Sequence, residues 1–400
     1  MIKIILKRGR DESLRRYHPW VFSGAIADVQ GNPSEGDLVS VHSSDGECLA
    51  YGHFQVGSIA VRVLSFDDSA LSQDYWEVML SRALAVRVAA GLHKSDEGSD
   101  TNCYRLVHGE GDNLPGLIID YYDGVCVIQA HSVGMFRAKK HIADALQKVY
   151  GESLKAVYDK SSGTAPFKAG LDLIDGYLYR RDGFSDDEQV VLENGQKFLV
   201  NWTEGQKTGF FLDQRDNRAL VGYLAKGRKV LNLFCYTGGF SIYALANGAE
   251  HVDSVDSSKK AMMMVDRNVE LNGFDPSSHT SLCCDAIDYL KNSPEGKYDL
   301  MIVDPPAFAK HRGALKNALR AYQRLNAAAI SKVAPGGFVF TYSCSQVVDK
   351  EAFALAVFSA AAQAGRSVRI LDRLNQPCDH SVNIYHPEGE YLKGLLLYVE

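Results

Sequence analysis

The sequence lacks the patterns that mark zinc-binding, disulfide-bonded and membrane-spanning proteins. Its eight cysteines are scattered, with no Cys-x-x-Cys pair and no histidines at matching spacing. That scatter argues against structural zinc and, in a chain of this size, against a disulfide framework. No run approaches the roughly 18 apolar residues of a membrane span, and no apolar stretch follows the first basic residues as in a signal peptide. We therefore expect a cytoplasmic protein with no metal centre and no membrane contact.

Acidic residues are scarce in two segments, although the net charge of the whole chain is −6. Residues 1–20 hold six Lys or Arg against two acids, and residues 305–348 hold no Asp or Glu. A local basic field matters more to a polyanion than the summed charge does, so both segments favour nucleic-acid contact. A solvated basic surface is the alternative interpretation.

The length of 400 residues predicts two or three domains. Short strands separated by glycines predict a small β-barrel over residues 1–75. Residues 76–187 mix strands and helices and are expected to form a central α+β domain, with polar, acidic breaks at 95–100 and 182–188. From 188 to 400 strands and helices alternate, which is typical of a parallel, doubly wound α/β sheet.

The first turn of this α/β segment departs from the pattern of dinucleotide-binding proteins. Residues 234–240 contain Gly238 and Gly239 but no Gly-x-Gly-x-x-Gly, and so no clear device for holding a pyrophosphate. S-adenosylmethionine has no pyrophosphate, since it carries a sulfonium and an amino acid, and we predict it as the cofactor. The turn and its flanks supply the following predicted contacts: Asn232, Phe234, Tyr236, Thr237, Gly238 and Ser257.

Two acids at later strand ends are predicted to bind the same cofactor. Asp256 ends the second strand, 18 residues after Gly238, where it can accept hydrogen bonds from ribose hydroxyls. Asp285 ends the third strand and can accept from an adenine amino group. The alternative is that both are only helix N-caps, because Asp is favoured there.

The next two predicted strands are each followed by a reactive side chain, a carboxylate and a thiol. Asp304, followed by two prolines, closes the run Leu300 to Val303, and Cys344 follows an apolar run 40 positions later. These strands should be neighbours, about 4.8 Å apart, so that both residues face one crevice. We predict Cys344 as a nucleophile, and Asp304 as a catalytic residue that also borders the cofactor. A buried structural cysteine is the alternative.

From about residue 190 the chain resembles class I S-adenosylmethionine-dependent methyltransferases. The segment Gly205 to Arg215, GQKTGFFLDQR, is similar to one shared by several bacterial rRNA methyltransferases. Because the N-terminal region resembles a PUA domain, the whole chain resembles the RlmI family, the 5-methylcytosine methyltransferases of large-subunit rRNA. The resemblance implies an RNA-binding function for residues 1–75. It also implies a second group of cofactor contacts: Lys207, Thr208, Phe211 and Asp213.

The resemblance explains what the thiol would do. Cytosine C5 is a poor nucleophile, but a thiolate that adds to C6 makes C5 able to attack the sulfonium methyl. Many enzymes of this kind carry a second cysteine directly after the Asp-Pro, whereas Ala307 and Phe308 follow here. Another base must take the C5 proton. The candidates lie near the C-terminus, where Ser381 replaces an expected proline: Asp379, His380, Glu388 and Glu390.

Cations and aromatics predict the RNA-binding surface. A helix after the Asp-Pro-Pro should present basic residues spaced by four on one face. The predicted RNA contacts are Lys7, Arg8, Arg10, Arg15, Arg16, His18, Trp20, Arg312, Lys316, Arg320 and Arg324. The target cytosine must be single-stranded or flipped out.

Together these patterns predict a cytoplasmic rRNA (cytosine-5-)-methyltransferase that uses S-adenosylmethionine and acts on large-subunit rRNA. Alternatives of the same fold methylate a guanine nitrogen, N2 or N7, or a uracil C5. A non-catalytic RNA-binding factor in ribosome assembly is the alternative of another class. The sequence leaves a homodimer open.

Overall fold

The computed structural model describes residues 1–93, 98–166, 170–309 and 311–400. Residues 95–97 of the first predicted break therefore lie outside the described residues. The chain divides into two compact units. The first unit is Met1–Val191, Val200–Leu212 and Cys378–Gly389, and the second is Leu192–Leu199, Asp213–Pro377 and Glu390–Glu400. The boundaries at 75/76 and 187/188 stay predictions. Within the described ranges, no helix has the length and hydrophobicity needed to cross a membrane.

The N-terminal part of the first unit is a six-stranded sheet with the order β2-β6-β5-β4-β1-β3. Its strands are β1 Ile2–Leu6, β2 Trp20–Phe22, β3 Ile26–Gln30, β4 Leu38–His42, β5 Cys48–Phe54 and β6 Ile59–Ser65, and a short helix, α1, spans Glu12–Arg15. β1 pairs with β4 in parallel, and the other pairs are antiparallel. Alternate apolar residues such as Ile4, Val39 and Val61 are fully buried in its core.

The rest of the first unit is a five-stranded sheet with the order β11-β10-β9-β8-β7 and two helices. The strands are β7 Cys103–His108, β8 Leu117–Tyr122, β9 Val125–Ala130, β10 Ala156–Asp159 and β11 Gly176–Arg180, and the helices are α2 Tyr75–Ala89 and α3 Val133–Tyr150. α3 begins at Ser132, whose hydroxyl accepts a hydrogen bond from the Met135 N–H. A hairpin follows, formed by β12 Glu188–Glu193 and β13 Gln196–Asn201.

The second unit is built on a seven-stranded sheet with the order β16-β15-β14-β17-β18-β20-β19. Its strands are β14 Lys229–Leu233, β15 His251–Asp256, β16 His279–Cys283, β17 Tyr298–Val303, β18 Val333–Ser343, β19 Val368–Leu374 and β20 Lys393–Val399. Its helices are α4 Arg215–Ala225, α5 Gly239–Ala246, α6 Lys259–Leu271, α7 Ala286–Asn292, α8 Leu315–Lys332 and α9 Lys350–Ala364.

This sheet places the ends of β14, β15, β17 and β18 along one edge, because these strands are parallel neighbours. The predicted doubly wound sheet is confirmed, and so is the pairing of the two strands that precede Asp304 and Cys344. β20 is antiparallel to both of its neighbours, β18 and β19. The sequence did not predict the direction of β20, because an apolar run is compatible with either direction.

Candidate active site

The turn after β14 has an unusual backbone. Phe234 and Tyr236 have φ of 58° and 49°, and Gly238 has φ of 81°. Residues other than glycine rarely adopt positive φ, and such residues cluster at ligand-binding sites. A Cβ at Gly238 would also lie 3.1 Å from Cγ1 of Val265. The glycine is therefore required both by its conformation and by the close approach of α6.

Asp256 is fixed at the end of β15 by this turn. One carboxylate oxygen accepts a hydrogen bond from the Tyr236 N–H at 3.1 Å, and the other accepts from the Ser258 N–H at 2.9 Å. The side chain is half-buried. It is thus held in one orientation, and its remaining lone pairs can accept further hydrogen bonds.

Asp285 lies two residues beyond the end of β16 and is the N-cap of α7. Its Oδ1 accepts from the N–H groups of Ile287 and Asp288, each at 2.9 Å. The prediction that Asp285 ends the third strand was wrong by two residues, because the observed strand ends at Cys283. The capping role that we had considered as the alternative is present, and it leaves Oδ2 to face solvent or a ligand.

Asn232 begins a buried hydrogen-bond chain beneath the turn. Its Nδ2 donates to the Ser241 hydroxyl at 2.8 Å, and this hydroxyl is 2.7 Å from that of Ser254. Oδ1 of Asn232 is buried and has no hydrogen-bond partner among the described residues. A buried acceptor without a partner costs free energy unless a ligand or water supplies a donor. Together with Asp256, this unpaired oxygen fits a cofactor with hydroxyl and amino groups.

The Asp304 carboxylate directly follows β17. The register pairs Val303 with Thr341, so Asp304 and Cys344 leave adjacent strands at the same edge. Oδ2 of Asp304 accepts a hydrogen bond from Nε2 of buried Gln214 at 2.9 Å, and the Gln214 side-chain oxygen accepts from Asn217 at 2.6 Å. This relay fixes the orientation of the carboxylate.

The turn that contains Cys344 is tied to the segment after Asp304. The thiol is half-buried. Both chain neighbours of Cys344 are hydrogen-bonded. The Ser343 hydroxyl donates to the Tyr322 hydroxyl at 2.9 Å, and the Ser345 hydroxyl donates to the Ala309 carbonyl at 2.5 Å. Burial raises the pKa of Tyr322 to about 12, so this phenol stays protonated and its oxygen can accept the hydrogen bond from Ser343.

A lysine lies under the same turn. Lys393, the first residue of β20, is paired in register with Ser343 and is only 6% exposed. Its ammonium donates to the carbonyls of Ser345 and Val348, both at 2.6 Å. No sequence motif connects Lys393 with Cys344, which lies 49 residues earlier in the chain. The signal that was missed is a single lysine at the start of an otherwise apolar strand, since lysines are rarely buried.

The segment 205–213, predicted to hold the cofactor, is divided between the two units. Lys207, with φ of 49°, lies in the first unit, and its Nζ is 5.0 Å from the centroid of the Phe211 ring. Thr208 is fully buried in that unit and donates to Asp120 at 2.6 Å. Asp213 lies in the second unit and accepts from the Tyr391 hydroxyl at 2.6 Å.

The four residues considered as the base that removes the C5 proton are also divided between the two units. Asp379, His380 and Glu388 belong to the first unit, and Glu390 belongs to the second. Asp379 is buried, accepts a hydrogen bond from the Arg105 N–H at 2.9 Å, and has its Oδ1 3.0 Å from Nδ1 of His380. Glu390 forms an ion pair with Lys350. These contacts give Asp379 a structural role within its own unit.

The predicted cations are exposed, but they differ in their partners. Arg15 is paired with Asp11 and Glu47, and Arg16 with Glu12. Lys7 donates to the Gly24 carbonyl at 2.9 Å. Arg8 and Arg10 are exposed.

The basic residues after Asp304 are arranged on one helix. Arg312 lies in the turn before α8, and Lys316, Arg320 and Arg324 follow at intervals of four on its exposed surface. For none of the four is a carboxylate partner found in the ranges that the structure covers. We call these four residues the α8 basic face.

His18 and Trp20 form part of an aromatic cluster in the first unit. The Trp20 ring is 4.3 Å from that of buried His386, and its Nε1 donates to Glu110 at 2.8 Å. One atom each of His18, His386 and Glu388 lie within 4.8 Å of one another. In the described ranges this is the group whose donor atoms could hold a metal ion.

Comparison with known proteins identifies the class. A family model described as S-adenosylmethionine-dependent methyltransferase matches residues 174–396, and a PUA-like domain matches residues 4–66. The chain is 40% identical over 400 residues to ribosomal RNA large subunit methyltransferase I of Aeromonas hydrophila, with 98% of each chain covered. The protein of that name from Pseudoalteromonas translucida is 39% identical over 397 residues, again with 98% of each covered.

Two solved structures share the fold. SMU.776, crystallised with SAH, is 23% identical with a TM-score of 0.84, and all of both chains is covered. Trm5b from Pyrococcus abyssi is 18% identical with a TM-score of 0.53, covering 70% of this chain and 74% of that one. At these identities the likeness shows the architecture alone.

The fold and the family match together define an S-adenosylmethionine-dependent methyltransferase, which confirms the predicted cofactor and the PUA-like N-terminal region. Since the match to the curated relatives extends over nearly the whole chain, it also fixes the family. The chain belongs to the ribosomal RNA large subunit methyltransferase I family, as its resemblance to the RlmI family predicted.

Proposed function

We propose that the protein methylates C5 of a cytosine in large-subunit rRNA, through covalent addition of the Cys344 thiol to C6. The substrate class follows from the names of its relatives. The observation that carries the choice of carbon is the half-buried thiol of Cys344 directly after β18, beside the strand that ends at Asp304. A nitrogen methyltransferase has no need of a thiol there.

The thiol carries the covalent steps. The Cys344 thiolate forms a bond to C6, and the electrons displaced from the C5–C6 double bond make C5 a nucleophile. Bound S-adenosylmethionine supplies the methyl group that C5 takes. A base then removes the C5 proton, the electron pair re-forms the double bond, and the C6–S bond breaks to return the thiolate.

Asp304 serves as the group that orients the base. Its carboxylate accepts a hydrogen bond from the cytosine amino group or from a protonated N3 while charge develops on the ring. Gln214 and Asn217 hold the carboxylate for this task through the relay described above. Such pre-orientation avoids a rearrangement during the reaction.

Asp256 is the proposed acceptor for the ribose hydroxyls of the cofactor, next to the strained turn at Phe234 and Tyr236. We expect Asp256→Ala to weaken S-adenosylmethionine binding at least ten-fold, because a charged hydrogen bond contributes about 1.5–3 kcal/mol. Asp288→Ala, at an exposed acid of the same unit, should bind normally. Isothermal titration calorimetry measures both, and equal affinities would contradict the placement.

The α8 basic face is the proposed site of phosphate contact in the second unit. Its residues are exposed, spaced by four and without carboxylate partners in the described ranges. The paired Arg15 and Arg16 are weaker candidates, because their neighbouring acids already neutralise them. Unpaired cations release more counterions on binding RNA.

A trapping experiment tests the carbon chemistry. Large-subunit rRNA that contains 5-fluorocytosine is incubated with the protein and labelled S-adenosylmethionine. Fluorine at C5 cannot leave as a proton, so the thiol adduct should accumulate and survive denaturing electrophoresis. We expect the complex with the wild type and with Cys284→Ala, an exposed thiol of the same unit, but not with Cys344→Ala.

The same experiment separates the alternatives. Methyl transfer to unmodified rRNA that survives in Cys344→Ala would overturn the proposal and favour a guanine nitrogen. Trapping with 5-fluorouracil but not with 5-fluorocytosine would assign the uracil C5. A protein that binds rRNA without any transfer would be a non-catalytic factor.

A further inference from the structure

One buried cation is bonded to the turn that contains Cys344 and has no role in the reaction as written above. Lys393 is 6% exposed, although it begins a strand whose next residues are all apolar. Burying an ammonium costs free energy unless it is paired and hydrogen-bonded. Its presence therefore calls for a compensating group.

The hydrogen bonds of Lys393 converge on the Cys344 turn. Its two 2.6 Å bonds reach the carbonyls of Ser345 and Val348, which lie one and four residues after the thiol. The lysine thus joins β20 to the turn that follows β18. An ammonium has three N–H donors, so one remains after these two bonds.

The charged groups around Lys393 include the thiol itself. Burial is the main influence and lowers the pKa of Lys393 to about 8, whereas Cys344, Asp349 and Glu390 act to raise it and Lys350 to lower it. Below pH 8 the side chain is therefore cationic. Electrostatic interaction is reciprocal, so a thiolate that favours the ammonium is itself favoured by it.

We propose that Lys393 is a positioning residue that holds the turn after β18 and stabilises the thiolate form of Cys344. It takes the place of the histidine or arginine that lowers thiol pKa values at other reactive cysteines. Tyr322, whose hydroxyl bonds to Ser343 beside the thiol, stays protonated because burial raises its pKa to about 12. It therefore adds no charge there, whereas Lys393 supplies a positive charge at the turn. The stabilisation of the thiolate does not depend on the proposed function. Only the use of that thiolate in catalysis rests on it.

The test is the pH dependence of Cys344 alkylation by iodoacetamide. The thiolate sulfur displaces iodide, so the rate follows the thiolate fraction. Modification of the peptide that contains Cys344 is measured by mass spectrometry between pH 5 and 10, because the exposed Cys48, Cys283, Cys284 and Cys378 also react. Wild type should show a midpoint below about 7.5, against about 8.5 for an ordinary thiol.

The variant Lys393→Met keeps an unbranched apolar side chain, one atom shorter than lysine, and removes the charge. We expect its midpoint to rise by at least one pH unit, which is about ten-fold slower alkylation at pH 7. The matched control is Lys226→Met, at an exposed lysine of the same unit, and it should follow the wild type. S-adenosylmethionine binding reports that each variant is folded.

Two results would overturn the assignment. One is a wild-type midpoint at or above 8.5, which needs no variant and decides the matter even if Lys393→Met does not fold. The other is superimposable profiles of wild type and Lys393→Met, both competent to bind the cofactor. Failure of the proposed function is distinguishable, because an alkylation profile that shifts as expected stands even if no 5-fluorocytosine adduct forms.

Discussion

At the scale of single residues, the orientation of Asp304 depends on one neutral side chain. Gln214 is buried and donates to the carboxylate at 2.9 Å. A carboxylate that loses a buried donor can rotate, and the loss of a hydrogen bond to a charged group costs about 1.5–3 kcal/mol. By the role that we propose for Asp304, Gln214 is a positioning residue that acts through this carboxylate.

We expect Gln214→Leu to lower kcat at least ten-fold while S-adenosylmethionine still binds. Steady-state methylation of rRNA and calorimetric titration of the cofactor provide the two readouts. Gln323→Leu is the control, because Gln323 makes a similar hydrogen bond to Gln363 on the exposed side of α8. Normal kcat in Gln214→Leu would mean that the carboxylate needs no such support.

At the scale of elements, a buried ion pair anchors α4 to the end of β12. Arg218 and Glu193 form a bidentate pair with distances of 2.8 and 2.7 Å, and both side chains are almost fully buried. The Tyr243 hydroxyl of α5 also donates to Glu193 at 3.1 Å. Three elements of the second unit therefore meet at one carboxylate.

We expect Arg218→Met to lower the free energy of unfolding of the second unit by about 3 kcal/mol, because it leaves Glu193 as an uncompensated buried charge. Arg180→Met removes an exposed pair with Asp187 and should cost less than about 1 kcal/mol. Urea denaturation followed by circular dichroism compares the two. Similar losses in the free energy of unfolding would show that Arg215, 3.6 Å from Glu193, compensates the Glu193 charge when Arg218 is removed.

The α8 basic face is expected to contribute to the salt dependence of rRNA binding. The triple variant Lys316→Gln, Arg320→Gln, Arg324→Gln should weaken rRNA binding and reduce the slope of log affinity against log salt by about 3. A control triple at Lys148, Lys226 and Lys291, which are exposed elsewhere, should keep the wild-type slope. Filter binding at salt concentrations of about 50 to 300 mM measures the slopes of both triple variants. An unchanged slope in the first triple would remove α8 from the interface.

The elements were more predictable from the sequence than the contacts at the reactive centre. Alternating strands and helices predicted the sheet of the second unit, and the strand ends predicted which residues share its edge. Direction and register were harder, as β20 and the early end of β16 show. Gln214, Tyr322 and Lys393 could not be assigned, because each reaches the centre through tertiary packing of a distant segment.

At the scale of the whole molecule, the two units can be followed separately. All three tryptophans, Trp20, Trp76 and Trp202, belong to the first unit. Trp76 packs against the ring of His53, which also contacts Gly134 of α3. Tryptophan fluorescence therefore reports the unfolding of the first unit alone.

Burial lowers the pKa of His53 to about 4. The unfolded chain takes up a proton near pH 6.5, whereas the folded unit stays neutral until about pH 4, so stability falls as pH falls between these values. We expect His53 to account for a loss of about 2 kcal/mol between pH 7 and pH 5, and the loss should be smaller by about that amount in His53→Gln. Exposed His141→Gln should behave as wild type. Urea titrations at pH 7 and 5, read by fluorescence, check the difference, and equal losses in both variants would contradict it.

The position of β20 between β18 and β19 has a consequence for synthesis. Cys344 leaves the translating ribosome well before Lys393, and until β20 emerges one edge of β18 has no partner in the nascent chain. Until Lys393 is in place, the proposed role implies that the Cys344 thiol reacts like an ordinary cysteine. By the role that we propose for Lys393, the Cys344 thiol therefore gains its raised reactivity only when β20 is inserted between β18 and β19.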